Sequence, residues 1–238
     1  MRIRGLLFDK DGTILDFYAT WTPLNREVAL CAADGDEALA DRLLIQGGHD
    51  PTTGRLRSGS PLAAGTPEEI AECFRQALNG KVRPDLVGAI DRIFEDGGRR
   101  FSVPVIDAGA ALAEFRRRTS FLGIATHDSI AGINASLEPH RLMGYFDFLA
   151  GHDSGHGKKP GPGMLNAFCR AHALDPKEVG VIGDNRHDLD MGRNGGASLR
   201  IGVLTGTSLE GDLIDHADMV VGSIADLAKD AAFMARLA

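Results

Sequence analysis

Cysteine is scarce in this chain. Cys31, Cys73 and Cys169 stand far apart, are odd in number and form no CxxC pair. A disulfide framework and a cysteine-based zinc site are therefore not expected, and a reducing cytosol fits. Long apolar runs are missing as well. Met1 to Asp9 carries Arg2 and Arg4, then an apolar stretch too short for a signal-peptide core. Nowhere do the roughly 18 apolar residues needed for a membrane span follow one another. Excess positive charge is absent too: 26 Lys and Arg face 33 Asp and Glu, a formal net charge of −7. A nucleic-acid binder needs a basic surface to displace counterions, so neither nucleic acid nor membrane is expected as a partner. The local cluster Arg116-Arg117-Arg118 reads as a solvated helix end ahead of a strand. No internal repeat or low-complexity segment is evident. These exclusions leave a soluble, cytoplasmic protein as the expectation.

What is present is ordinary globular material. The 238 residues are 43% apolar and 25% charged, enough for one large domain or a core with a modest insertion. A chain of this length buries roughly 70% of its extended surface and needs no covalent staples. Short apolar runs ending in polar residues recur: Ile3 to Phe8 before Asp9, Phe121 to Ala125 before Thr126, and Phe146 to Ala150 before Gly151-His152-Asp153. Val179 to Gly183 before Asp184, Ile201 to Leu204 before Thr205, and Met219 to Val221 near Ser223 follow the same pattern. Unbroken apolar runs of this length fit strands buried on both faces of a parallel sheet. Helical patterns at Ala108 to Arg118, Gly163 to His172 and Asp188 to Gly195 lie between several of them. The alternation predicts an α/β fold with a doubly wound, mainly parallel sheet. In such sheets ligands bind at the carboxyl ends of the strands, where the polar residues closing these runs converge.

Residues 16–103 break the rhythm. They hold no convincing buried strand but four helical segments: roughly Leu24 to Ala33, Glu37 to Gln46, Pro67 to Leu78, and Pro84 to Glu95. Thr66-Pro67-Glu68-Glu69 supplies an N-cap, a first-turn proline and first-turn acids. A stretch rich in Gly, Pro, Ser and Thr, 47–65, separates the second and third. The expected organisation is a core built from 1–15 and 104–238 with a helical domain, 16–103, inserted after the first strand.

Four segments carry chemistry. In Phe8-Asp9-Lys10-Asp11-Gly12-Thr13-Ile14, carboxylates at i and i+2 of a turn can face one cavity, one attacking as a nucleophile and the other handling a proton. A calcium-binding EF-hand loop is excluded, since Thr13 and Ile14 stand where it needs an acidic or amide residue and a glycine. In Gly183-Asp184-Asn185-Arg186-His187-Asp188, a strand-tip carboxylate and another four residues on can share a cation, and oxygen ligands suit Mg²⁺. Asp188 also reads as a helix-start residue. Lys158-Lys159-Pro160-Gly161-Pro162 offers a fixed positive charge. In Ile124-Ala125-Thr126-His127-Asp128, a hydroxyl and the following N–H groups can donate to phosphate oxygens.

Together and in this order, the four segments resemble the haloacid dehalogenase superfamily of aspartate-nucleophile hydrolases. Asp9 and Asp11 match its DxDGT motif, Thr126 its second-motif Ser or Thr, Lys159 its lysine before a proline segment, and Asp184 with Asp188 its GDxxxD. Lys159 is preferred to Lys158 because KPxP aligns on it, and Asp188 fits the spacing better than Asp190. The helical insertion matches the helical cap subgroup. The tail, Gly202-Val203-Leu204-Thr205-Gly206 with Ala217-Asp218 and Ser223-Ile224 beyond, resembles the phosphoglycolate phosphatase-like branch. His127 departs from the Asn often found there, so its imidazole is a candidate substrate contact, with use of its backbone N–H alone as the alternative.

The resemblance implies a Mg²⁺-dependent phosphatase acting on a small phosphorylated metabolite, phosphoglycolate-like or a sugar phosphate, through an aspartyl-phosphate. It assigns attack to Asp9 and proton transfer to Asp11. Thr126, His127 and Lys159 bind substrate, and Asp9, the Asp11 carbonyl, Asp184 and Asp188 hold the metal. A cation is needed in any case: two like unit charges about 5 Å apart repel by about 3 kcal/mol at an effective dielectric of 20. Several such carboxylates would repel a phosphate. Asp11 argues against a dehalogenase or phosphonatase, which in the family generally lack the second Asp. A phosphomutase keeps both and is the rival reading, and a silent binding protein would have lost a motif residue. His152, Asp153 and His156 read as loop-shaping, Phe17 and Trp21 as cap packing or hinge, Arg55 and Arg57 as solvated, and Gly12 as a turn residue.

Overall fold

The computed structural model describes residues 2–237. Among them, six strands form one sheet: β1 (Gly5–Phe8), β2 (Phe121–Ala125), β3 (Phe148–Ala150), β4 (Val179–Gly183), β5 (Leu199–Val203) and β6 (Met219–Val221), in the order β3-β2-β1-β4-β5-β6. Every pairing is parallel. The doubly wound α/β expectation therefore holds. Central β1 and β4 are buried at every position, which is why their sequences are apolar without alternation. No helix of the described residues is long and apolar enough to cross a membrane.

Five helices occupy the segment between β1 and the next core helix: α1 (Phe17–Ala32), α2 (Glu37–Gln46), α3 (Pro61–Ala64), α4 (Pro67–Ala77) and α5 (Leu86–Phe101). They share their own apolar cluster, in which Leu24, Val28, Phe74 and Ile90 are fully shielded from solvent. Around the sheet lie α6 (Ala108–Arg118), α7 (Ile130–Leu137), α8 (Gly163–His172) and α9 (Arg186–Gly195). One face of the sheet packs Phe8 and Ile124 against Phe115 and Leu112 of α6. The other packs Leu7 and Val181 against Met164 and Phe168 of α8.

Two helices run further than the sequence suggests. The segment expected from Leu24 begins at Phe17, through Pro23. Asp16 caps it by accepting from Ala19 N at 2.9 Å. Pro23 lies in the second turn, and the packed apolar face of α1 outweighs the one hydrogen bond it forgoes. The helix expected to end at Glu95 continues to Phe101. Gly97 and Gly98, costly for an isolated helix, are here places of close approach. A Cβ on Gly97 would lie 1.8 Å from Leu24 Cδ2 on α1, and one on Gly98 would lie 3.3 Å from Ser136 Cβ on α7. The glycines seat α5 between the inserted helices and the core.

Gly97→Ala should therefore force Leu24 and α5 apart and destabilise the protein by about 1–3 kcal/mol. Urea unfolding followed by circular dichroism measures this, and an unchanged midpoint would contradict the tight seam.

Candidate active site

The carboxyl edge of the sheet gathers the motif residues. Asp9 follows β1, and its N–H donates to the Ile182 carbonyl at 2.8 Å. Thr126 follows β2, and its N–H bonds the Ala150 carbonyl at 2.9 Å. Asp184 follows β4, and Asp188 lies in the first turn of α9. Carboxylate oxygens of Asp9, Asp184 and Asp188 all lie within 4.8 Å of one another. All three side chains are buried.

Lys159 reaches into this cluster from the loop after β3. Its ammonium donates to Asp188 Oδ1 at 2.5 Å, Asp9 Oδ1 at 2.7 Å and the Ala125 carbonyl at 3.2 Å. Those three acceptors match its three hydrogens. Burial pulls the Lys159 pKa down, but Asp188 and Asp9 outweigh it and hold the amine above a free lysine. Asp188 is clamped at both oxygens, since Oδ2 accepts from Asn185 N at 3.0 Å. Asp184 Oδ2 accepts from Thr207 N at 2.9 Å. Two glycines keep room for it: a Cβ on Gly206 would lie 1.8 Å from Asp184 Oδ2, and one on Gly12 would lie 2.8 Å from Asp184 Cγ. Gly12 is also left-handed, at φ +85°, as its turn requires.

Asp11 turns away from Lys159 to a second buried lysine. Lys10 Nζ lies 2.8 Å from Asp11 Oδ1 and 3.0 Å from Asp128 Oδ2, and 5.6 Å from the centre of the Trp21 ring. Only 1% of Lys10 is exposed. Sequence reasoning missed Lys10 and Asp128. In sequence, the lysine between Asp9 and Asp11 has no partner of its own, and the signal that a charge sits between two carboxylates exists only once β1 and β2 are adjacent.

Thr126 Oγ1 accepts from Asp128 N at 3.1 Å, leaving its own hydrogen to donate into the cleft. His127 is engaged at both nitrogens. Nδ1 lies 2.7 Å from the Ala64 carbonyl, and Nε2 accepts from Lys159 N at 3.0 Å. A carbonyl can only accept, so the proton sits on Nδ1. Burial, then Lys159, lowers the ring's pKa to about 3, so it is neutral. The imidazole ties a core loop to an inserted helix, and its backbone N–H is the group left for an anion. His152 faces Glu68 and Asp91 of the inserted helices, apart from the cluster.

The charge balance is lopsided. Five carboxylates (Asp9, Asp11, Asp128, Asp184 and Asp188) share this region with two ammonium groups, Lys10 and Lys159. Burial, then repulsion from Asp9 and Asp188, pushes Asp184 well above a free carboxylate. Burial, opposed by Lys159, raises Asp9 to about 6. An oxygen-only donor set with surplus negative charge fits a hard divalent cation such as Mg²⁺.

Comparison with known proteins agrees with this geometry. The model of the haloacid dehalogenase-like hydrolases matches residues 3–196. The chain belongs to the haloacid dehalogenase-like hydrolase family. Among curated relatives, the phosphoglycolate phosphatase of Escherichia coli (strain K12) is 24% identical over 243 residues, spanning 94% of this chain and 91% of that protein. The phosphoglycolate phosphatase of Photobacterium profundum is 26% identical over 188 residues, spanning 79% and 77%. The crystal structure of a predicted phosphoglycolate phosphatase from Haemophilus somnus superposes with a TM-score of 0.73 at 16% identity, covering 96% of this chain and 98% of that one. Such a likeness shows the haloacid dehalogenase-like fold.

Removing the Lys10 charge strands Asp11 and Asp128 in the interior. Lys10→Met should cost about 3–5 kcal/mol of stability, the range for breaking one side of a buried ion pair. Urea denaturation of the metal-free protein at pH 7 tests this, and a loss below about 1 kcal/mol would rule out a buried, charge-balancing Lys10.

Proposed function

We propose that this hydrolase is a Mg²⁺-dependent phosphomonoesterase working through an aspartyl-phosphate on Asp9. The observation that carries the reading is Lys159 bridging Asp9 and Asp188, with Asp184 alongside and Asp11 in the same cleft. Residues 1–15 and 104–238 form the catalytic core in this proposal, and 16–103 the cap that excludes bulk water. The printed names of the relatives make phosphoglycolate one candidate ester, and sugar phosphates are another.

In the proposed reaction, a free oxygen of Asp9 attacks phosphorus and the ester P–O bond breaks. Asp11, whose pKa burial raises, gives its proton to the departing alkoxide. The resulting carboxylate then takes a proton from water, which attacks the same phosphorus and frees phosphate and Asp9. Thr126 Oγ1 and the His127 N–H donate to the phosphoryl oxygens, and Lys159, its hydrogens held by Asp9, Asp188 and Ala125, attracts them by its charge. Asp9, the Asp11 carbonyl and Asp184 would hold Mg²⁺. Asp188, with both oxygens already bonded, fixes Lys159. When bound, the ion supplies charge neutralisation at the phosphoryl oxygens and the carboxylates.

Asp9→Asn should fold and yet release no phosphate from any ester in the presence of Mg²⁺, as measured by a phosphate-release assay. Turnover within tenfold of the natural chain would refute Asp9 as nucleophile. A phosphomutase would instead convert one phosphosugar into another without stoichiometric phosphate.

The raised carboxylates set a pH dependence. Groups whose pKa rises on folding stabilise the protein below their free value, near 3.8 for Asp9, and lose that contribution as pH climbs through about 6. Mg²⁺ competes with the same protons. Millimolar Mg²⁺ should thus raise Tm by several degrees more at pH 8 than at pH 5. Scanning calorimetry reads this difference, and an equal or reversed effect would remove the acidic cluster as the metal site.

A further inference from the structure

The cleft has two unlike walls. The floor carries the carboxylates, Lys159 and Thr126, while the roof presents Phe17, Trp21, Leu62, Ala63, Ile70 and Phe94. None of those six bears a charge. Phe17, Trp21 and Phe94 form one aromatic group. The Trp21 and Phe94 rings meet edge to face at 4.5 Å, and Phe17 stacks on Trp21 at 6.4 Å. The side-chain hydrogen-bonding group on this roof is the Trp21 Nε1, which has no partner.

Among the described residues, Lys159 is the one lysine or arginine lining the cleft, and all its hydrogens are committed to Asp9, Asp188 and Ala125. Lys158, its neighbour in sequence, pairs instead with Glu69. His127 also lines the cleft, with its two ring nitrogens already bonded to the Ala64 carbonyl and the Lys159 N–H, and the His187 ring lies 6.4 Å from it.

A phosphate ester enters this cleft phosphoryl end down, toward Lys159 and Thr126, with its alcohol portion against the roof. A carboxylate on that portion, as in phosphoglycolate, would lose its water against aromatic rings with no free cation to meet it, since Lys10 behind Trp21 is buried between Asp11 and Asp128, while the acidic floor repels it. A sugar would leave most of its hydroxyls without partners there. An apolar alcohol portion loses nothing comparable and gains contact with the rings. Resting on the phosphomonoesterase reading of this site, we infer that the substrate is a phosphate monoester of an uncharged, apolar alcohol, and that Phe17, Trp21 and Phe94 select it.

The test compares kcat/KM of the full chain with Mg²⁺ for benzyl phosphate, 2-phosphoglycolate and glucose 6-phosphate. All three are unactivated alkyl esters, so leaving-group reactivity does not decide the order. Benzyl phosphate should exceed each of the others at least tenfold. If phosphoglycolate or glucose 6-phosphate matches or beats it, the inference about the alcohol is overturned and the phosphomonoesterase reading stands. Absence of phosphate release from all three, or release undiminished in Asp9→Asn, overturns the phosphomonoesterase reading and this inference with it. A second variant tests the wall directly. Ala63→Lys adds a cation at a half-buried lining position. The ratio of phosphoglycolate to benzyl phosphate kcat/KM should rise at least fivefold in this variant, and an unchanged ratio would show that the roof does not choose the alcohol.

Discussion

The site depends on one buried ammonium group. Without Lys159, Asp9 and Asp188 would be two desolvated anions at the edge of an apolar sheet, with Asp184 as a third beside them. Taking a carboxylate out of water costs several kcal/mol unless it is paired and hydrogen-bonded. Lys159 meets that requirement for two of them at once, and its third hydrogen on Ala125 fixes the chain end of β2 in the same gesture. Lys10 repeats the device one residue past Asp9, for Asp11 and Asp128. Two lysines divide the acids into Asp9 and Asp188 around Lys159, with Asp184 beside them, and Asp11 and Asp128 around Lys10. The negative charge they leave uncompensated fits a divalent ion.

This arrangement is affordable because parallel strands expose their carboxyl ends together. β1, β2 and β4 are adjacent and in register, so residues far apart in sequence leave the sheet on one side. Around them, the absence of side chains matters as much as their presence. At Gly206 and Gly12 a methyl group would occupy the space of the Asp184 carboxyl. The carboxylates approach one another only because the surrounding turns are bare.

Much of this was legible in the amino-acid sequence. Each buried strand announces itself as an unbroken apolar run, because both faces of a parallel sheet are covered. Asp9, Asp11, Thr126, Lys159, Asp184 and Asp188 stand at the ends of such runs or in recognisable spacings, and all of them line one cleft. What stayed hidden depends on contacts between distant segments. The burial of Lys10 requires Asp128 from the loop after β2. The length of α5 requires Leu24 and Ser136 to receive its two glycines. The start of α1 was obscured by Pro23, whose cost is local while its compensation is tertiary. His127 looked like a free imidazole until the Ala64 carbonyl and the Lys159 N–H took its two nitrogens.

The helix α5 joins two duties. Phe94, in its middle, belongs to the aromatic roof, while Gly98, one turn on, rests on Ser136 of α7 at the back of the core. A substitution at that rear seam acts on the same helix that supplies a wall of the cleft. The outline of the cleft can therefore drift through substitutions that never touch an acidic residue, because one helix serves both the wall and the rear seam.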